Sequence, residues 1–210
     1  MKTLLHVGCG HNRKARTTPG FNTPEWQEIR LDIDQSVQPD ILGSMTDMSV
    51  VEDKAIDAIF SSHNIEHLYP HEVPLALAEF VRVLQPDGFA VITCPDLQSV
   101  CALVADNKLT QTAYESPAGP IAPLDILYGH RPSLQQGKLY MAHRCGFTKD
   151  VLGHTLGYAG FQTVATIARA QRLDLWAFAS KAVLTEAEVI HLVEAHGIFG
   201  EITLLYSNPQ

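Results

Sequence analysis

The sequence predicts an α/β fold, with an open, doubly wound and mostly parallel sheet covered by helices. Two observations carry this. The first is the opening run Thr3-Leu4-Leu5-His6-Val7-Gly8-Cys9-Gly10, a short apolar strand that feeds directly into Gly-x-Gly. The second is the acidic pair Asp32 and Asp34, which closes the next strand-like run. Open parallel sheets bind nucleosides beyond the carboxyl end of the first strand. Glycine there lets the backbone approach a ligand with no Cβ in the way, and a carboxylate about 20 residues later accepts hydrogen bonds from ribose hydroxyls.

The remaining elements follow in order. Residues 11–27 read as a long loop with at most a helical turn around Glu25-Trp26-Gln27, because Thr17-Thr18-Pro19-Gly20 and Pro24 interrupt any longer helix. Glu28 to Ile33 alternates polar and apolar residues and predicts the second strand; Pro39 to Gly43 is long enough only for a small third one. These spacings leave no room for a full crossover helix, which brings a βαβ unit to ~30 residues. Ala55 to Ser61 is nearly continuous in apolar character, as a central strand buried on both faces should be. Glu72 to Leu84 predicts a helix with Pro74 in its first turn and Leu77, Phe80, Val81 and Leu84 toward the sheet. Pro86-Asp87-Gly88 stops it, Phe89 to Cys94 is the next strand, and Leu97 to Val104 a further helix.

From Lys108 to Phe147 the chain changes character, with four prolines, several glycines, and Tyr114, Tyr128, Tyr140, His130, Arg131, His143 and Arg144. A long, mostly irregular insertion in a compact domain is usually functional or disordered, and this composition argues against disorder. We read 108–147 as a substrate cap within one domain spanning 1–210. Thr148 then caps a helix with Leu152, Leu156 and Ala159 on one face, ended by Gly160. Phe161 to Arg169 and Arg172 to Ser180 form two strands joined at Ala170-Gln171, and Thr185-x-x-Glu188 is a capping box opening a last helix through Val189, Leu192 and Val193. Ile198 to Tyr206 is an extra strand or a tail, which a second copy of the chain could pair in a homo-oligomer.

Composition bounds the function. With 210 residues, 46% hydrophobic content and 18% charged content, the chain resembles a globular domain and has no apolar run near the ~18 residues of a membrane span. The amino terminus enters strand sequence at once, without the pattern of a signal peptide. Cys9, Cys94, Cys101 and Cys145 are scattered with no C-x-x-C, which predicts reduced thiols and a cytoplasmic location, and no metal is expected anywhere in the chain. The net charge of −8 argues against a nucleic-acid partner. The local run His11, Arg13, Lys14 and Arg16 reads as a solvated loop.

A family resemblance joins these pieces. Leu5-His6-Val7-Gly8-Cys9-Gly10 is similar to the glycine-rich first motif of class I S-adenosylmethionine-dependent methyltransferases. Asp57-Ala58-Ile59-Phe60-Ser61-Ser62-His63, Glu66-His67-Leu68, Arg82 to Gly88 and Pro95-Asp96-Leu97 together resemble the run FDxIxSSHxxEHL … RVLKPGG … PDL of the methyltransferase type 11-like branch. Residues 4–97 carry it in order; Gln85 and Asp87 depart from the usual lysine and glycine. The resemblance implies a Rossmann-like sheet of seven strands with an antiparallel carboxy-terminal hairpin, and S-adenosylmethionine as cofactor.

It also implies site residues. Gly8, Cys9 and Gly10 would pass against the amino-acid part of the cofactor, and Asp32, with Ile33 beside it, would hold the ribose; Asp34 is the competitor. Relatives carry an Asp for the adenine where this chain has Ser44, so Ser44 or the backbone of Met45 and Thr46 takes that place, or Asp47 by a register shift. Ser62 and His63 would line the methionine part. His67 and His143 are candidate general bases, because a hydroxyl acceptor must lose a proton and imidazole titrates near neutrality. Asp96, Tyr140 and Arg144 are candidate substrate contacts; His130-Arg131 and His143-Arg144 suggest a polar, even anionic, small molecule. His63-x-x-Glu66-His67 also spells the inverted zinc-peptidase motif, but that motif needs a helix, and Tyr69-Pro70 breaks the chain here.

The expected activity is methyl transfer to a small polar molecule, with oxygen the preferred acceptor atom. Two rivals are a cofactor-binding protein acting through partner contacts and a nicotinamide-dependent reductase. The reductase is disfavoured because Arg13 stands where G-x-G-x-x-G needs its third glycine.

Overall fold

The computed structural model describes residues 1–206. Its first half is a parallel sheet with little helix: β1 (Lys2–Val7), β2 (Trp26–Asp32), β3 (Ile41–Leu42) and β4 (Ile56–Ser62). Helix α1 (Val73–Val83) leads into β5 (Leu84–Pro95), followed by α2 (Leu97–Ala105). A small antiparallel hairpin comes next, β6 (Tyr114–Ser116) and β7 (Gly119–Ile121), then short helices α3 (Pro123–Tyr128) and α4 (Arg131–Gln135). The chain ends through α5 (Lys149–Tyr158), β8 (Thr163–Arg169), β9 (Asp174–Ser180), α6 (Glu186–Ala195) and β10 (Thr203–Tyr206).

The main sheet has the order β10-β8-β9-β5-β4-β1-β2-β3. Strands β1 to β5 pair in parallel, and β9, inserted beside β5, begins the antiparallel edge. The expected hairpin is therefore present, but the sheet has eight strands, not seven. The eighth is β10, which pairs with β8 of its own chain, Thr203 opposite Thr166.

Side chains alternate across the sheet, as the period of a strand requires. Leu5, Val7 and Ile59 join α1 and α5 through Leu77, Phe80, Leu152 and Leu156 on one face. Leu4, Ala58, Phe60 and Val91 meet Phe21, Trp26 and α6 residues Val189 and Val193 on the other. The missing first crossover helix is thus replaced by a loop whose Phe21 is fully buried, with its ring centroid 5.1 Å from Trp26 and 6.0 Å from Phe60. This packing corrects the helical turn expected at 25–27. Trp26 opens β2 opposite Lys2, and the strand closes at Asp32, leaving Ile33 outside it and 53% exposed. Strand β5 starts earlier than expected, at Leu84, with residues 85–88 bulged out of its pairing with β4.

The insertion is more ordered than its composition suggested, with the β6–β7 hairpin, α3, α4 and a 3-10 turn at Leu139–Met141. Among the described residues no helix is long and apolar enough to cross a membrane.

Candidate active site

Two adjoining cavities open at the carboxyl ends of β1, β2, β4 and β5. The first, about 430 Å³, is lined by Gly8, Gly10, Asp32, Ile33, Ser44, Met45, Thr46, Ser62 and His63, among others. Gly10 has φ +52°, and a Cβ added there would meet nothing within 4 Å, so its backbone presents an open cradle. Its N–H donates to Asp32 Oδ2 at 2.7 Å, and the N–H of Asp34 donates to Asp32 Oδ1 at 2.9 Å. The carboxylate of Asp32, 8% exposed, is thereby fixed at the rim of the cradle with lone pairs remaining for further donors.

The loops around this cavity are braced by Arg30, which is 1% exposed. Its guanidinium donates to the carbonyls of Gly10 at 2.5 Å and Asn12 at 3.2 Å on one side, and of Gln38 at 2.7 Å and Val37 at 3.2 Å on the other. The strand alternation had given no reason to single out this residue. Asn64 was also missed: its Nδ2 donates to the carbonyls of Val7 and Ser62, both at 3.0 Å, joining the ends of β1 and β4.

The second cavity, about 550 Å³, shares His63, His67 and Met141 with the first and extends under the insertion to Tyr114, Ile126, His143 and Leu173. Glu66 lies at its back, 1% exposed, on the 3-10 turn Ile65–His67. Its Oε1 is 3.3 Å from His63 Nδ1, but neither carboxylate oxygen has a hydrogen-bond donor among the described residues. His63 itself has φ +55°, an uncommon conformation for a side-chain-bearing residue. Burial by itself raises the pKa of Glu66; the facing imidazoles of His63, His67 and His143 outweigh it and hold the carboxyl below its ordinary range. His67 Nδ1 is 3.1 Å from the carbonyl of Ala142, and His143 Nδ1 is 2.6 Å from that of Ile126. Carbonyls only accept, so both Nδ1 atoms carry a proton, and in the neutral ring it is Nε2 that offers the lone pair. Burial lowers the pKa of His143.

The expected residues divide by place. Cys9 lies beneath the cradle rather than on it, 1% exposed, with Sγ 3.9 Å from Asp32, and burial raises its thiol to about 11. Asp34 also lines the first cavity, but its carboxylate is engaged: it accepts from Ser36 N at 2.9 Å and from the Tyr140 hydroxyl at 2.8 Å, and these bonds hold its carboxyl at about 2. Tyr140 consequently lines the first cavity, not the second. Ser44 Oγ accepts from Thr46 N at 3.2 Å, whereas Asp47 is tied to Ser49 N at 3.1 Å and does not line the cavity.

Asp96 does not face either cavity; it caps α2, accepting from Gln98 N at 3.1 Å and from the Ser99 hydroxyl. Arg131 is committed to Asp125 at 2.7 and 2.9 Å, and Arg144 stacks 4.7 Å from the Tyr69 centroid while donating to His67 O. The Arg131 guanidinium is thus taken up by a carboxylate, whereas Arg144, which lines the first cavity, gives one N–H to a neutral carbonyl. Lys14 donates to the carbonyls of Thr23 and Trp26 at 2.7 and 2.5 Å, a structural use of the local basic run. The four cysteines are all free.

Residues 5–92 match the model of a methyltransferase domain family. No curated protein matches the chain. Among solved structures it is similar to the Burkholderia thailandensis 1,6-didemethyltoxoflavin-N1-methyltransferase, solved with 1,6-didemethyltoxoflavin and S-adenosylhomocysteine bound. That match has TM-score 0.54 and 16% identity over 86% of this chain and 71% of the other. It is also similar to methyltransferases dependent on S-adenosylmethionine from Archaeoglobus fulgidus (TM-score 0.52, 16% identity, 85% and 86% covered) and Aquifex aeolicus (0.51, 15%, 86% and 82%). At these identities the likeness is one of fold.

Proposed function

We propose that this chain, whose residues 5–92 match a methyltransferase domain family, is a class I S-adenosylmethionine-dependent methyltransferase of the type 11-like branch that methylates a small polar molecule on oxygen. The observation that carries the proposal is the sharing of His63, His67 and Met141 by two adjoining cavities. A donor in the first cavity and an acceptor in the second would meet at those residues.

The residues of the first cavity suit the cofactor. Asp32 offers lone pairs to ribose hydroxyls, Gly8 and Gly10 leave backbone rather than side chain against the amino-acid part, and Ile33 and Met45 give apolar surface for the adenine, with the polar atoms of Ser44 and Thr46 beside it. Ser62 and His63 stand toward the methionine part. Bound there, S-adenosylmethionine supplies a methyl group already activated on a sulfonium.

The protein then has two tasks. One is alignment, which in a good in-line geometry can be worth ~7–11 kcal/mol. Tyr140, bonded to Asp34, and the insertion above it would restrict water and hold the two ligands in register. The other is removal of the acceptor's proton, needed for a hydroxyl and worth ~10²–10⁴-fold. His67 and His143, each with Nε2 free, are the groups of the second cavity able to take part in it. A binding-only role would not need two such imidazoles and a buried carboxylate converging beside the donor. With its cysteines free, a cytoplasmic location is part of the same proposal.

Calorimetric titration with S-adenosylhomocysteine tests the reading. Micromolar binding by the wild type, lost in Asp32→Ala, is expected, followed by turnover in a screen of polar hydroxylated metabolites. A wild type that does not bind, with or without those acceptors present, would sink it.

A further inference from the structure

We propose that Glu66, His67 and His143 form a binding site for a divalent first-row transition-metal ion, at the junction of the two cavities. One ligating atom from each of the three lies within 4.8 Å of the other two. Bonds of ~2.0–2.2 Å from nitrogen and oxygen to such an ion would close that span with side-chain adjustment alone.

Three features point to a ligand rather than to an accidental cluster. The carboxylate of Glu66 is 1% exposed; its one near side-chain partner is His63 Nδ1, 3.3 Å from Oε1 and outside hydrogen-bond geometry, and Oε2 has no donor among the described residues. A buried carboxylate is costly unless paired or bound to a metal. The two imidazoles are also set as metal ligands usually are. Each donates Nδ1–H to a backbone carbonyl, that of Ala142 or Ile126, which fixes the ring and leaves Nε2 to ligate. Finally, the site is open on one side: all three residues line the second cavity, so coordination positions would remain for a small molecule.

A carboxylate with two imidazoles suits zinc, iron or manganese better than calcium or magnesium, which prefer oxygen alone. Methyl transfer requires no change of oxidation state, so the role would be that of a Lewis acid. This part rests on the proposed O-methylation. An acceptor hydroxyl on the ion would become more acidic. Its O–H bond breaks, with the proton passing to water in the open cavity. The freed electron pair forms the O–CH₃ bond as the C–S bond of the donor breaks, and that pair stays on sulfur. His67 and His143 would then act as ligands in that proton loss rather than as its direct acceptors.

The test uses Co²⁺ as a spectroscopic probe on chelator-treated full-length protein, with S-adenosylhomocysteine binding measured in parallel. One saturable Co²⁺ site with visible d–d absorption, displaced by Zn²⁺, is expected in the wild type. Glu66→Gln and His143→Ala should each weaken it at least tenfold while still binding S-adenosylhomocysteine; His71→Ala, a histidine outside the cluster, should not weaken it. His143 is only half-buried, so its loss should not collapse the core. Absence of a saturable site in the wild type, or wild-type affinity in both cluster variants, would overturn the metal. Saturable Co²⁺ binding without any S-adenosylhomocysteine binding would support the metal and overturn the methyl-transfer reading alone.

Discussion

The side chain of Asn64 occupies the space that a Cβ on Gly8 would need: such an atom would lie 2.0 Å from Asn64 Oδ1, and Gly8 has φ +61°. The first glycine of the motif is therefore required by packing inside the protein before any ligand arrives. Gly8→Ala should be severely destabilising, since both the contact and the left-handed backbone oppose it. Asn64→Ala alone should cost about 1–3 kcal/mol, because the carbonyls of Val7 and Ser62 lose their shared donor. In the double variant the clash is relieved, so urea denaturation should show a loss smaller than the sum of the two. Strict additivity would refute the contact.

Arg30 predicts an effect at a distance. It lines neither cavity, yet it donates to carbonyls of both loops that border the first. Arg30→Met should lower stability by about 1–3 kcal/mol, the usual consequence of leaving buried carbonyls without their charged donor. S-adenosylhomocysteine affinity should fall about tenfold or more as the 10–12 and 37–38 segments loosen. Calorimetry at a temperature where the variant remains folded separates the two; unchanged affinity would reduce Arg30 to a purely structural group.

Much of this was legible because it is local or periodic. Alternation and turn residues exposed the parallel strands, and Thr148 and Thr185 announced their helices by capping chemistry that the structure contains. The glycine loop, Asp32, Ser44 and Ser62 share one cavity because a parallel sheet brings strand ends together. What stayed hidden depends on distant partners. Arg30 reads as one more polar residue of an alternating strand, and its burial comes from loop carbonyls that leave no pattern. Trp26 looked helical until Phe21 packed on it. Asp96, followed three residues later by Ser99, carried a capping signal that a functional reading passed over. Glu66 stood in plain view within the family motif, but only the fold brings His143 to it across 77 positions, the difference between 143 and 66.

Tyr140 and Asp34 tie the insertion to the loop after β2 by one hydrogen bond of 2.8 Å. Burial and the Asp34 carboxylate raise the tyrosine to about 12, so the bond persists through neutral and mildly alkaline pH. Tyr140→Phe removes only the hydroxyl. Its expected effect is faster release of S-adenosylhomocysteine, about three- to tenfold, with little change in melting temperature. Stopped-flow displacement measures this, and an unaltered release rate would show that the bond does not restrain the insertion over the cavity.

His196 predicts how stability depends on pH. Its ring is 3% exposed, lies 4.4 Å from the Phe21 centroid and near Phe89 and Phe178, and its Nδ1 meets the Thr18 hydroxyl at 2.6 Å. Burial without a carboxylate partner lowers its pKa to about 4. Above the unfolded value of about 6.5 the imidazole is neutral in both states and contributes nothing to pH dependence. As pH falls below that value the unfolded chain takes up a proton that the folded chain refuses, so stability declines, and the decline levels off near pH 4 at about 3 kcal/mol. His6 and His143, also lowered by burial, add to the same trend, so the contribution is isolated by difference. His196→Gln keeps a polar atom for Thr18 but cannot titrate. The gap between the wild-type and variant urea stabilities should shift by about 3 kcal/mol between pH 7.5 and pH 4, in the direction that disfavours the wild type in acid. A gap that stays constant would mean that His196 takes up its proton in place, and that the aromatic cage yields to the charge.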